Sequence, residues 1–182
     1  MTPEQFFQKL VNEQNQIKSL VKTKLPRMIG KIAVDHFKEN FRKGGFVNGG
    51  LQKWKPVKRF DADSQYAAGK YGTLLSGRKE LYNSITFDAG SGTVTIKSDK
   101  EYAQIHNEGG VTHPTVTDKM KNFAWAMHKK TGKKESKWKG IALTKKSNLT
   151  VNIPQRQFIG DSRELNIKIK DIIEIELTKI FE

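Results

Sequence analysis

Helical periodicity at both ends of the chain, alternating strand patterns between them and turn chemistry inside the middle predict an α+β fold. The expected arrangement is long N-terminal helices, a central antiparallel sheet of hairpins, and a C-terminal helix packed on the sheet. At 182 residues the chain suits one domain. Its pattern divides that domain into a helical part over residues 1–42, a long loop over 43–73 and an α+β body over 74–182.

The helical end comes first. Leu25, Met28, Ile29, Ile32, Ala33, His36, Phe37 and Phe41 recur at three-and-four spacing, the signature of one buried helix face. Upstream, Phe6, Phe7, Leu10, Val11 and Ile17 predict a preceding helix with Pro3 in its first turn. Pro26 predicts a bend or a fresh start near residues 23–26, because its ring opposes a continuous helix. Gly44-Gly45 ends the element. Residues 43–73 follow with glycine pairs, scattered aromatics and no sustained period, the pattern of a surface or interface loop.

In the body, SGRKELYNSI predicts a short helix with Ser76 as its N-cap and Glu80 near its start. Residues 84–87 and 93–96 alternate on either side of AGSG and predict a hairpin. KEYAQIHNEGG predicts a short helix closed by Gly109, and residues 117–130 a further one with Met120, Phe123, Ala124 and Met127 on one face. Residues 141–144 and 149–153 flank KKSN and predict a second hairpin. The last helix runs from about Asp161 to Lys179, with Leu165, Ile169, Ile172, Ile173, Leu177 and Ile180 as its apolar stripe and Asp161 or Ser162 as its cap.

Composition narrows the function. The chain has no cysteine, which removes disulfides, cysteine-ligated zinc and thiolate nucleophiles. Its N-terminus lacks the basic-then-apolar layout of a signal peptide, and no apolar run approaches the roughly 20 residues a bilayer span needs. A soluble protein made in the cytosol, with no membrane partner, is expected. Hydrophobic residues make up 36%, low for a self-contained globule, and this suggests an elongated protomer or one that completes its burial in an oligomer.

The net charge of +14 is unevenly placed. Residues 1–59 hold 13 basic residues against 4 acidic ones, and residues 119–146 hold 10 lysines against Glu135 alone. These blocks bracket a mildly acidic middle. They either keep a surface solvated or attract polyanions. Trp125 and Trp138 stand among the lysines, which suits stacking on single-stranded nucleic acid or, equally, a core tryptophan and a loop anchor. With arginine absent from this block and no zinc-finger, KH or RRM signature, base readout is not expected. The residues offered to DNA or to a protein neighbour are Lys129, Lys130, Lys133, Lys134, Lys137 and Lys139.

Catalytic patterns are sparse. His106 and His113, with Glu108 between them, match neither HExxH nor an i, i+4 pair. His36 lies on the apolar helix face as a core or interface histidine, and His128 belongs to the basic block. GxSxG and GxxxxGK[ST] are absent, and Ser91 is a hairpin tip. Asp61, Asp63, Asp88 and Asp99 would form a two-metal nuclease site only if the fold gathered them. No catalytic residue, metal or cofactor is assigned, and an enzyme is not expected.

Four segments in order resemble the phage virion morphogenesis family, which includes tail-completion proteins of Mu-like and related tailed phages. The first is Trp54-Lys55-Pro56 after a long helix. The second is residues 74–85, with Leu75, Gly77 and Leu81, where two extra residues stand between the glycine and the leucine relative to the family pattern. The third is Tyr102-Ala103-Gln104-Ile105-His106-Asn107-Glu108-Gly109, following an alternating strand. The fourth is Pro154-Gln155-Arg156-Gln157-Phe158-Ile159-Gly160 before the terminal helix, with Gln157 where proline is common. The lysine-rich stretch between Gly110 and Pro154 is a long insertion. Arg156 and Phe158 alternate about Gln157, as on one strand face, and Gly160 permits a tight join to the helix.

The resemblance implies a structural protein of the neck or tail end. It would complete the tail and join it to the head as a ring, with sixfold symmetry expected, around the DNA channel. Implied partners are further copies of the chain, connector and neck proteins of the head, and tail tube or terminator proteins, with non-specific DNA contact in the channel. The implied location is the virion neck, reached from the bacterial cytoplasm during assembly. The alternative is a non-specific nucleic-acid-binding protein of a phage or mobile element.

Overall fold

A computed structural model describes residues 1–57, 71–130 and 136–182. Asp61, Asp63, Lys133 and Lys134 lie outside the described residues. The architecture is α+β, as the periodicities predict, and the described residues form two compact units: Met1–Glu108 with Gln155–Glu182, and Gly109–Pro154.

The first unit begins with α1 (Pro3–Ser19), whose start is fixed by a reciprocal capping box. Gln5 N–H donates to Thr2 Oγ1 at 3.3 Å, and Thr2 N–H donates to Gln5 Oε1 at 2.8 Å. Between α1 and α2 (Leu25–Lys43) lies a π-helical turn, Leu20–Lys24, in which Leu25 N–H reaches back to Leu20 O. Pro26 explains it. A proline has no N–H for the carbonyl four residues back, and its ring clashes with that carbonyl. The wider π turn separates the two and keeps the chain helical where a bend or a fresh start was expected. Gly44, at φ 66°, closes α2 in the left-handed conformation.

Residues 43–57 are more regular than the loop expected there. β1 (Gly45–Val47) pairs antiparallel with β2 (Leu51–Lys53) across Asn48-Gly49-Gly50. Gly49 and Gly50 both have positive φ, which glycine adopts without strain in this three-residue loop. Glycines in a short run between apolar residues were the overlooked hairpin signal. Next, α3 (Glu80–Ser84) starts later than the Ser76 cap predicted, with Lys79 at its N-cap in a left-handed conformation and no side-chain cap. The predicted hairpin forms as β3 (Thr86–Ala89) and β4 (Val94–Lys97), and α4 (Ala103–Glu108) ends at Gly109 with φ 76°.

In the second unit, β5 (Gly110–Thr112), α5 (Asp118–Lys130), α6 (Ser136–Ala142) and β6 (Val151–Ile153) follow in order. Residues 141–144 do not form a strand. Ile141 and Ala142 end α6, and residues 151–153 pair instead with 110–112, Gly110 opposite Ile153. A four-residue apolar run does not distinguish a strand from the last turn of a helix. Here α6 packs on α5, with the Phe123 and Trp138 rings edge to face at 5.9 Å. Among the described residues the strands therefore make three separate two-stranded ribbons instead of one continuous sheet.

The chain closes with α7 (Arg163–Phe181), capped by Ser162 as predicted and packed on α1 and α2. The core of the first unit gathers Ala33, Val34, Phe37 and Phe41 of α2 with Phe46, Trp54, Leu81, Ile85, Phe158 and Leu165. Further along α7, Glu176 is buried and pairs with both Lys24 and Lys179. These hydrogen bonds, Lys179 first, hold its carboxyl below the usual range.

Gly30 is where α2 meets the β3–β4 ribbon. A Cβ there would stand 2.2–2.6 Å from the Phe87 ring, far inside van der Waals contact. Alanine's helix propensity favours the substitution by about 0.8–1.0 kcal/mol, but overpacking a rigid ring costs about 1–3 kcal/mol. Gly30→Ala is expected to lose up to about 2 kcal/mol net, read as a lower urea midpoint at unchanged m-value. A gain in stability would show that β3 does not hold Phe87 against this helix.

Candidate functional site

Residues 155–162 lead from the end of the second unit to α7 and belong to no sheet. A largely covered segment without a ladder must find partners for its N–H and C=O groups one at a time. Arg156 N–H donates to His106 O at 2.8 Å. Asn107 Oδ1 accepts from two successive amides, Phe158 N–H at 2.9 Å and Ile159 N–H at 3.0 Å. Trp54 Nε1–H donates to Gln157 O at 2.7 Å, and Asn40 Nδ2–H to Phe158 O at 3.1 Å. The other end of the Asn40 amide accepts from Val47 N–H at 3.2 Å, tying β1 to the same point. Helix α2, the residues after β2, and α4 thus each contribute a side chain or carbonyl to this strap.

Arg156, Phe158 and Ser162 of the strap lie buried. The Phe158 ring, 1% exposed, sits 5.1 Å from Phe41, which also meets Trp54 at 5.5 Å and Tyr82 at 5.9 Å. Arg156 is 6% exposed, its Nε donating to Lys55 O at 2.9 Å and its Nη2 to Pro56 O at 3.3 Å. The guanidinium fork therefore clamps the chain just after β2. Downstream, Ser162 Oγ–H donates to Val47 O at 2.8 Å and accepts from Leu165 N–H at 3.3 Å, joining a helix cap to the β1–β2 turn. The Glu164 carboxylate accepts from Gly49 and Gly50 N–H, each at 3.1 Å, and its first-turn backbone amide together with these bonds lowers its pKa.

Several of the residues singled out by sequence meet in this hub. Trp54, Pro56, His106, Arg156 and Phe158 take part directly, and Leu81 is in the core behind it, with Leu75 and Ala103 packed against that core. Gly160 joins strap to helix where a Cβ would meet Gln157 Nε2 at 2.0 Å. Gly109 supplies the positive φ after α4. Tyr102 is 40% exposed, with its ring edge-on to His106, and Gly77 is exposed beside Tyr71. Pro154 ends the second unit. Asn40 and Asn107 were missed by the sequence reading. Asn40 had a legible signal, a primary amide inside the apolar stripe between Phe37 and Phe41.

The hub offers no reacting group. His106 belongs to the first unit and His113 to the second. Asp88 pairs with Lys97, and Asp99 with Lys100 at 3.5 Å. Among the described residues no group of three His, Asp or Glu is placed to hold a metal, and no helix is long and apolar enough to cross a membrane. An open groove between α2 and α7 is lined by acids and bases alike, including Asp35, Glu39, Lys43, Glu164, Lys168 and Asp171 around His36. Burial and then Lys168 push the His36 imidazole below its ordinary pKa, while burial and then Arg156 do the same to His106.

What these side chains do at this site is hold the strap against α2, the β1–β2 ribbon and α4. The family model for phage virion morphogenesis matches residues 3–178, and the chain belongs to that family, a structural one. No curated protein and no solved structure matches the chain.

Replacing Asn107 by alanine strands the Phe158 and Ile159 amides, so about 2–6 kcal/mol of stability is expected to go, since each unsatisfied buried group costs about 1–3 kcal/mol. Asn107→Asp, which retains the acceptor, should recover most of the denaturant midpoint. The two histidines give a pH profile. Their folded pKa values lie below the unfolded value of about 6.5, so their contribution is full above that pH and is lost as pH falls toward the folded values. Stability should begin to decline below about pH 6.5, and a His36→Gln, His106→Gln double variant should flatten that slope. A wild-type profile already flat there would refute the assignment.

Proposed function

We propose that the chain is a neck subunit that completes the tail and joins it to the head, assembling with copies of itself as a ring around the DNA channel. Six copies are the expected number. Its other partners in this reading are connector and neck proteins on the head side and tube or terminator proteins on the tail side. The virion neck is its destination, and the bacterial cytoplasm is where it assembles.

The observation that carries this reading is α1. No residue of that helix is buried, and Phe6, Phe7, Leu10 and Val11 are 50%, 67%, 44% and 48% exposed. A 17-residue helix draws its stability in a protein mainly from burying an apolar face. Four large apolar side chains left in solvent along one helix suit a protomer that finishes burial against another subunit. Each fully covered side chain contributes about 1.5–3 kcal/mol at most. A heterologous contact of this kind closes into a ring when its rotation permits. Membership of the family supports the setting, and a hub built for rigidity with no reacting group fits a subunit that transmits position.

Lysates of the parent phage lacking this gene are expected to hold separate filled heads and finished or over-long tails by electron microscopy. Purified protein should restore joining. A Phe7→Ser, Leu10→Asp variant should keep the wild-type thermal midpoint, yet fail to form the oligomer and fail to rescue. Intact virions from the deletion would refute the neck role. Normal rescue by the variant would remove α1 from the interface.

A further inference from the structure

The second unit, Gly109–Pro154, is set off from the first by its charge. It contains ten lysines, no arginine, and only Asp118 and Glu135 as acids, a net charge of +8 in 46 residues. Lys119 and Lys129 on α5, Lys139 on α6, and Lys145 and Lys146 in the turn that follows are all exposed. Among the described residues no carboxylate pairs with any of these five. The unit is also an excursion with adjacent ends: Gly110 stands opposite Ile153 in the β5–β6 ribbon.

We infer that this unit is a module that binds the phosphate backbone of double-stranded DNA without reading its sequence. Three features favour that partner. Lysine is depleted from the cores of protein–protein interfaces, so a surface carried by five exposed, unpaired lysines is the opposite of a protein-docking composition. An ammonium is a compact point charge on a flexible stem, suited to non-specific contact with a lattice of phosphates, and the unit lacks the arginine fork that bidentate recognition would use. The aromatic side chains are committed within the unit, Phe123 to Trp138 and Trp125 to His128, each ring pair at 5.9 Å. The first pair braces α5 against α6 and the second lies within α5, so each ring is already engaged edge to face. The choice of DNA over other polyanions rests on the neck reading, since packaged DNA is the polyanion within reach there. The charge argument itself does not.

The test uses the purified full-length protein with a random-sequence duplex and a single strand of the same length, titrated at several salt concentrations. Neutralising about five phosphates gives a log–log salt slope of about −4.5, so a fourfold rise in salt should weaken duplex binding about 500-fold. A Lys119→Gln, Lys129→Gln, Lys139→Gln, Lys145→Gln, Lys146→Gln variant should lose about 100-fold or more at low salt, with an unchanged thermal midpoint and unchanged self-assembly. Absence of duplex binding at low salt, or binding that the variant retains, would overturn the inference. So would a strong preference for the single strand abolished by Trp125→Ala, which would make the surface a stacking site, or loss by the variant of binding to an acidic virion protein with no DNA affinity in the wild type. The neck role stands or falls separately, on the deletion phenotype.

Discussion

A stretch of backbone that is largely covered without neighbours in a sheet has to be hydrogen-bonded by whatever happens to surround it, and in this chain residues 155–162 impose that demand on everything nearby. Asn107 accepts two of its amides, while Trp54 and Asn40 donate to two of its carbonyls. The same contacts fix where α2, the β1–β2 ribbon and α4 stand, because each must bring a particular atom within about 3 Å of the strap. Phe158 then adds the apolar half of the arrangement by lying against Phe41. A polar network of this type stabilises only when it is complete. The interleaving of segments from residues 40, 54, 107 and 158 also makes it non-local, so it assembles late relative to the helices and ribbons.

Much of the framework was legible because it rests on local periodicity. The two N-terminal helices, the 86–97 ribbon, the glycine stop at 109 and the capped terminal helix all follow from spacing or from one residue's backbone preference. What resisted were elements whose conformation depends on distant partners. Residues 141–144 had to choose between pairing with 149–153 and packing on α5, and no short window contains the Phe123–Trp138 contact that accompanies the choice. The turn at residues 48–50 was readable in principle and was passed over inside a glycine-rich stretch.

The site divides along the same line. Its motif residues could be found by resemblance, but their roles could not. Arg156 and Phe158 were expected to share a strand face. The structure puts them in an irregular strap, one clamping the carbonyls of Lys55 and Pro56 and the other filling the core. The asparagines that complete the hub carry no charge and no aromatic ring, and primary amides stand out only when their neighbours in space are known.

The π turn at residues 20–24 has a consequence for how such a protein changes over generations. In a helix each residue advances the side-chain direction by about 100°. Gain or loss of one residue in this wide turn would rotate all of α1 about its own axis while α2 and its core contacts stay in place. A single-codon insertion or deletion would then re-aim Phe6, Phe7, Leu10 and Val11 as a block. The turn acts as a swivel joint by which the outward face of the subunit can be re-clocked toward a differently shaped neighbour, at the expense of re-packing only Leu20 and the seam of α1 with α7.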